Sequence, residues 1–188
     1  MKEKIRSYFS RYWVAYVLFA AISILSVSFV GAYLGKTKEE EKVDILLVSE
    51  TCDYRGFEEY LGLIKPGYLK ELNYRCLSPN DGYFSQVLST YGAVEADLFF
   101  VSSAKLNEIN CASLMLPLDE TRLQKIYGEG RSFFSMDGQA YGIGISPHGF
   151  SNETGDVYYA CFAKTSLHIG MLNGGERNGA IEVVRAFL

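Results

Sequence analysis

The sequence predicts an α/β protein, with a single N-terminal transmembrane helix followed by one layered α/β lobe built on a mainly parallel sheet. Three observations carry that expectation. Trp13 to Leu34 is a run of 22 residues without a charge, short runs of β-forming residues recur downstream, and amphipathic stretches at helical spacing fall between them.

The apolar run comes first. An α-helix rises ~1.5 Å per residue, so the run covers the ~30 Å of bilayer hydrocarbon. Lys2, Lys4, Arg6 and Arg11 precede it, Trp13, Tyr16 and Tyr33 stand near its ends, and a charged linker, residues 35–42, follows. The alternative is a cleaved signal peptide, whose apolar core is typically about 7 to 15 residues long and ends at a small-x-small site. Here the nearest such site, Val30-Gly31-Ala32, lies inside the run, which favours an anchor. The first cysteine is Cys52, too far downstream for a lipid-modified anchor. Four Lys and Arg before the span against three after it, together with the short leading arm, place residues 1–12 in the cytoplasm and residues 43–188 outside. The expected localisation is the cell membrane, crossed once between Trp13 and Leu34.

Residues 43–188 have an ordinary length for one domain with its own core. In them 11 Lys and Arg stand against 18 Asp and Glu, a net charge of −7, which disfavours nucleic acid as a partner. The acidic residues are spread along the chain with no calcium-loop ladder, and the four cysteines lack the C-x-x-C spacing of zinc sites, so neither metal nor cofactor is expected. Outside the cell Cys52, Cys76, Cys111 and Cys161 are free to form disulfides in three pairings, of which Cys52 with Cys76 suits the strand order below; the other reading is buried free thiols.

Along the chain, Val43 to Ser49 is a continuous apolar run that reads as a strand buried on both faces. Phe57, Tyr60, Leu61 and Ile64 mark a helix, Pro66-Gly67 interrupts it, Tyr68 to Leu72 extends it, and Tyr74 to Leu77 is the second strand. Asp81 suits a helix N-cap before the stripe Tyr83, Phe84, Val87, Leu88 and Tyr91, and Gly92 ends that helix. Ala96 to Val101 is the third strand. Strands alternating with helices in this way imply parallel pairing with right-handed crossovers. Later, Ala140 to Ile145 and Val157 to Ala163 read as strands, and Asn178 to Leu188 as an amphipathic helix with Ile181, Val184 and Phe187 or Leu188 inward.

Catalytic motifs are missing from the sequence. There is no G-x-S-x-G and no P-loop, and the histidines, His148 and His168, read as exposed loop residues. Glu58-Glu59 and Asp119-Glu120 are adjacent pairs that do not converge on one point as a glycosidase requires. Asn152-Glu153-Thr154 fits the N-glycosylation pattern.

Three segments in order are more specific: Ala96-Asp97-Leu98-Phe99-Phe100-Val101-Ser102, Leu116-Pro117-Leu118-Asp119-Glu120 and Asp137-Gly138-Gln139-Ala140-Tyr141-Gly142-Ile143. Together they resemble bacterial extracellular solute-binding proteins, the binding components of ABC importers, in which a "PDLFFV" strand, a "PLDE" segment and a "DGKxYGIP" hairpin follow one another. The resemblance departs at Ala96, where proline is usual, and at Gly144-Ile145-Ser146, where "IP" is usual. It implies a two-lobed fold around a hinge, yet the segment between Ile145 and Val157 is far too short for a second lobe, so one lobe is expected. Ligand contacts in such folds come from the carboxyl ends of parallel strands. Those positions here are Ser49, Glu50, Asp81, Tyr83, Ser102, Ser103 and Tyr141, each with a second reading as a cap or turn residue. No tryptophan lies beyond the apolar run, so a stacking platform would come from tyrosine or phenylalanine. The resulting expectation is a non-enzymatic, membrane-anchored module at the bacterial cell surface, with an accessory or sensing role near an ABC-type transporter and a small solute and transporter subunits as partners. The alternatives are a binding protein that completes its cleft by oligomerisation and a structural subunit of a membrane complex with no ligand.

Overall fold

The computed structural model describes residues 2–34, 37–50, 53–150, 157–173 and 178–188. The chain divides into two compact units, Met1–Thr37 and Lys38–Leu188. The first is one helix, α1 (Lys2–Leu34), and within it Tyr12–Gly31 is long and apolar enough to cross a membrane. A signal sequence near an N-terminus meets the same test of length and composition.

The second unit opens with a 3-10 turn, Glu39–Glu41, and continues as β1 (Lys42–Val48), α2 (Tyr54–Ile64), β2 (Glu71–Leu77), α3 (Phe84–Val87) running on as a π-turn to Gly92, and β3 (Leu98–Ser102). Then come α4 (Ser103–Leu106), α5 (Cys111–Leu114), α6 (Glu120–Tyr127), β4 (Phe133–Met136), β5 (Gln139–Ile145), β6 (Tyr158–Phe162), α7 (Gly170–Asn173) and α8 (Gly179–Arg185). All six strands form one sheet in the order β2-β1-β3-β6-β5-β4. The β-α-β-α-β run yields the parallel part, β2-β1-β3, and β6, β5 and β4 add an antiparallel part.

Both faces of the sheet are covered, and the period of 2 along each strand assigns the side chains. Val43, Ile45 and Leu47 of β1 with Leu98 and Phe100 of β3 join one core, shared with Phe57, Leu123, Ile181 and Val184 of the helices on that face. Leu46, Val48, Phe99 and Val101 join the other, with Leu88, Leu106, Cys111 and Met115. This is why β1 and β3 read as unbroken apolar runs: a strand buried on both sides has no polar face to alternate with. At the carboxyl side of the first core Phe57, Phe100, Phe150, Phe187 and Tyr158 pack ring to ring, with Phe100 and Phe187 centroids 4.8 Å apart edge to face and Phe150 and Tyr158 at 5.1 Å.

Several elements differ from the sequence reading for identifiable reasons. The expected extension of α2 through Tyr68 to Leu72 stops short, because Glu71 and Leu72 pair with Lys42 and Val43 as the start of β2. Asp81 is not an N-cap; its carboxylate accepts from the Tyr83 N–H at 2.9 Å in the turn that precedes α3. The helix α6 comes from the "PLDE" segment, with Asp119 accepting from the Arg122 N–H as its cap. Asp137 and Gly138, both at positive φ, close the β4–β5 hairpin in the manner of an Asp-Gly two-residue turn. Twelve residues, 146–157, connect β5 to β6, too few to build a lobe.

Candidate functional site

The carboxyl ends of the parallel strands open into a pocket of about 240 Å³. The residue after β1, Ser49, and the last residue of β3, Ser102, reach it because parallel strands in register finish at the same edge. The register of β3 with β6 sets Ser102 opposite Tyr158, so an antiparallel strand delivers its first side chain to the same place. Ser49 Oγ and Tyr158 Oη lie 3.0 Å apart in a buried hydrogen bond, and the Tyr158 ring leans on Phe150. Around this pair stand Glu50, whose carboxylate accepts from Asn80 Nδ2 at 3.0 Å, and Lys105, whose ammonium meets Glu108 at 3.0 Å. The Ser102 hydroxyl makes no capping bond to α4 although Ser102 holds the N-cap position. The pocket therefore combines three hydroxyls, one carboxylate and one ammonium at its wall, a set able to hydrogen-bond a small polar solute from several sides.

Of the expected positions, Ser49, Glu50 and Ser102 come together here. Ser103 begins α4 beside them, with its N–H on the Val157 carbonyl at 2.9 Å, but does not line the pocket. Asp81 and Tyr83 lie on the loop after β2 and are exposed, Tyr83 by 70%, and Tyr141 packs in mid-strand on the second core, so these three stand apart from it. Lys105 and Tyr158 were not foreseen. Lys105 falls in the last turn of the four-residue helix after β3, where a cation is ordinary, so no local signal marks it. Tyr158 reaches the site only through antiparallel pairing, which the expected parallel sheet does not suggest. Cys76, Cys111 and Cys161 are free thiols, with Cys111 and Cys161 buried; burial raises the Cys111 thiol above its ordinary range and does so strongly for Cys161. Cys52, the other half of the Cys52–Cys76 pairing, and the Asn152-Glu153-Thr154 triplet lie outside the described residues.

A second polar cluster occupies the opposite, amino edge of the sheet. Asp97, just before β3, accepts from the Ser166 hydroxyl at 2.6 Å and from the Asp44 N–H at 2.9 Å. Ser166 in turn accepts from the His168 backbone N–H at 3.1 Å, and His168 Nε2 meets the Glu39 carbonyl at 2.6 Å, which requires the proton on that nitrogen. His168 lies in a loop but is only 2% exposed, a correction to its reading as an exposed residue; His148 is exposed, its ring 5.9 Å from that of Tyr60. Burial raises the Asp97 carboxyl above the ordinary range, opposed by its bonds from Ser166 and the Asp44 N–H. The imidazole faces a backbone carbonyl and not the Ser166 hydroxyl, so Asp97, Ser166 and His168 do not form a nucleophile and base pair. Among the described residues no group of three or more His, Cys, Asp or Glu is placed to hold a metal ion.

No family model matches this chain, and no curated protein does. Among solved structures, a eukaryotic thiaminase-I bound to the thiamin analogue 3-deazathiamin is similar, at a TM-score of 0.38 and 17% identity. The match covers 56% of this chain and 32% of that one, so it spans about a third of the enzyme's length. A likeness of that extent assigns neither family nor activity to this chain.

Proposed function

We propose that this protein is a membrane-anchored, non-enzymatic binding module of the solute-binding-protein type, reduced to one lobe, which meets a small polar solute at the carboxyl edge of its sheet. In this reading α1 anchors it with residues 1–12 in the cytoplasm and the α/β unit outside, in an accessory or sensing role beside an ABC-type transporter. One observation carries the proposal: Ser49, Glu50, Ser102, Lys105 and Tyr158, from three separate segments of the chain, converge on one open pocket. Open α/β sheets take their ligands outside the carboxyl ends of their strands. The short β5–β6 connection supports the single lobe, and a single lobe leaves much of a solute exposed, so affinity is low. Tethering offsets that weakness, since a module held at the membrane meets its partner at high effective concentration.

The test is calorimetric titration of the full chain in nanodiscs against amino acids, sugars and small anions. The expected result is binding of at least one solute weaker than ~100 μM, abolished by Lys105→Ala or Ser49→Ala. Binding tighter than a few micromolar, or binding indifferent to both substitutions, contradicts the reading.

A further inference from the structure

Two side chains of opposite charge, Glu50 and Lys105, stand in the wall of the pocket at the carboxyl edge, and they do not pair with each other. Glu50 is exposed, and its carboxylate accepts from Asn80 Nδ2 at 3.0 Å, a neutral donor that leaves the charge without a counter-charge. The Lys105 ammonium meets the two carboxylate oxygens of Glu108 at 3.3 and 3.0 Å. An ammonium has three donors, so this single partner leaves it room for another acceptor.

The topology sets the spacing of the two charges. In the order β2-β1-β3, the strands β1 and β3 run in parallel with Val48 opposite Val101. Glu50 follows β1 by two residues, and Asn80 on the loop after β2 draws its carboxylate to the β2 side. Lys105 follows β3 by three residues, and Glu108 holds it on the β3 side. The two heads are therefore separated by one to two strand spacings, about 5 to 10 Å. In an α-amino acid the ammonium nitrogen and the carboxylate carbon are two covalent bonds apart, about 2.5 Å. With a charge-assisted hydrogen bond of about 2.8 Å at each end, such a molecule reaches about 8 Å, within the span available.

Other small solutes meet this wall less well. An inorganic anion faces Lys105 but also the carboxylates of Glu50 and Glu108, and a diamine faces the Lys105 ammonium. A sugar covers both charges with hydroxyls and leaves each desolvated without an ionic partner. The remaining wall limits what the amino acid carries: Val48, Pro79 and Ala104 are apolar, and about 240 Å³ admits only a small side chain. The Ser102 hydroxyl, which makes no capping bond to α4, is a further donor for the ligand carboxylate.

We propose that the solute of this pocket is a zwitterionic α-amino acid with a small side chain, its ammonium held by Glu50 and its carboxylate by Lys105. The inference rests on the reading of this pocket as a binding site and names the class of ligand it takes.

Amide chemical shifts of the full chain in nanodiscs, followed during titration with L-alanine, L-alanine methyl ester, N-acetyl-L-alanine, glucose and inorganic phosphate, test it. L-Alanine is expected to move Ser49, Ser102 and Lys105, and removal of either of its charges, in the ester or the N-acetyl form, to weaken binding about tenfold. Glu50→Gln is expected to weaken L-alanine to the same degree without weakening N-acetyl-L-alanine, and Lys105→Met to abolish L-alanine binding without weakening the methyl ester. Unmoved Asp97 and His168 amides in both variants show that the fold is kept. If the ester or the N-acetyl form binds as tightly as L-alanine, or glucose or phosphate binds at the carboxyl edge as tightly or more so, the amino-acid class is overturned while the binding reading stands. No response at the carboxyl edge to any of the five overturns both.

Discussion

The two edges of the sheet hold the molecule's two polar clusters, and they are built differently. At the amino edge Asp97, Ser166, His168 and Asp44 are each less than a tenth exposed and satisfy one another across long stretches of chain. At the carboxyl edge the buried Ser49–Tyr158 pair is flanked by exposed Glu50 and by Lys105, whose bonds are to exposed side chains, Asn80 and Glu108. A closed network of buried polar groups fixes structure, whereas polar groups at an open wall keep capacity for a ligand. The amino edge is thus built as a structural network, and the carboxyl edge has the open polar wall on which the proposed binding role rests.

Removing the centre of the amino cluster should have the largest effect. Asp97→Ala leaves the Asp44 N–H and the Ser166 hydroxyl without their acceptor, and the expected loss is about 3 kcal/mol by urea denaturation of the full chain in detergent. The same carboxyl sets a pH dependence. Its pKa is raised on folding, so its contribution is fully present below the ordinary aspartate range and declines as pH rises through the folded value. Asp97→Asn, which still accepts from the Asp44 N–H and donates to Ser166, should remove that decline, so the variant gains on the parent between pH 4 and pH 7 in denaturation midpoints. An unchanged pH profile would separate Asp97 from the effect. Next, Tyr158→Phe deletes one buried hydrogen bond at the carboxyl edge and should cost about 1 kcal/mol. Smallest of all, Lys105→Ala should shift stability by less than about 0.5 kcal/mol, since its ion pair with Glu108 is on the surface, while it abolishes solute binding. A variant that loses stability and binding together at Lys105 would erase the distinction between the edges.

How far these edges were legible in the sequence follows from their contacts. The strands β1 and β3 stand out because burial on both faces makes an apolar run, and Ser49, Glu50 and Ser102 follow from being the residues where those runs stop. The start of β2 was hidden because Glu71, Leu72 and Asn73 carry the mixed polarity of an edge strand, and β4 because four residues give too little pattern. Tyr141 depends on the register of a hairpin, which a one-residue slip would reverse. The amino cluster could not be read at all: Asp97 meets Ser166 and His168 meets Glu39 across 69 and 129 residues, and no local spacing encodes such pairs.

The account is tested most directly by mapping amide chemical shifts of the full chain in nanodiscs during titration with the solute panel. The expected result is perturbation centred on Ser49, Glu50, Ser102, Lys105 and Tyr158, saturating only at high solute concentration, with Asp97, Ser166 and His168 unmoved. Perturbation centred on the amino edge, or no response at the carboxyl edge to any solute in the panel, would contradict it.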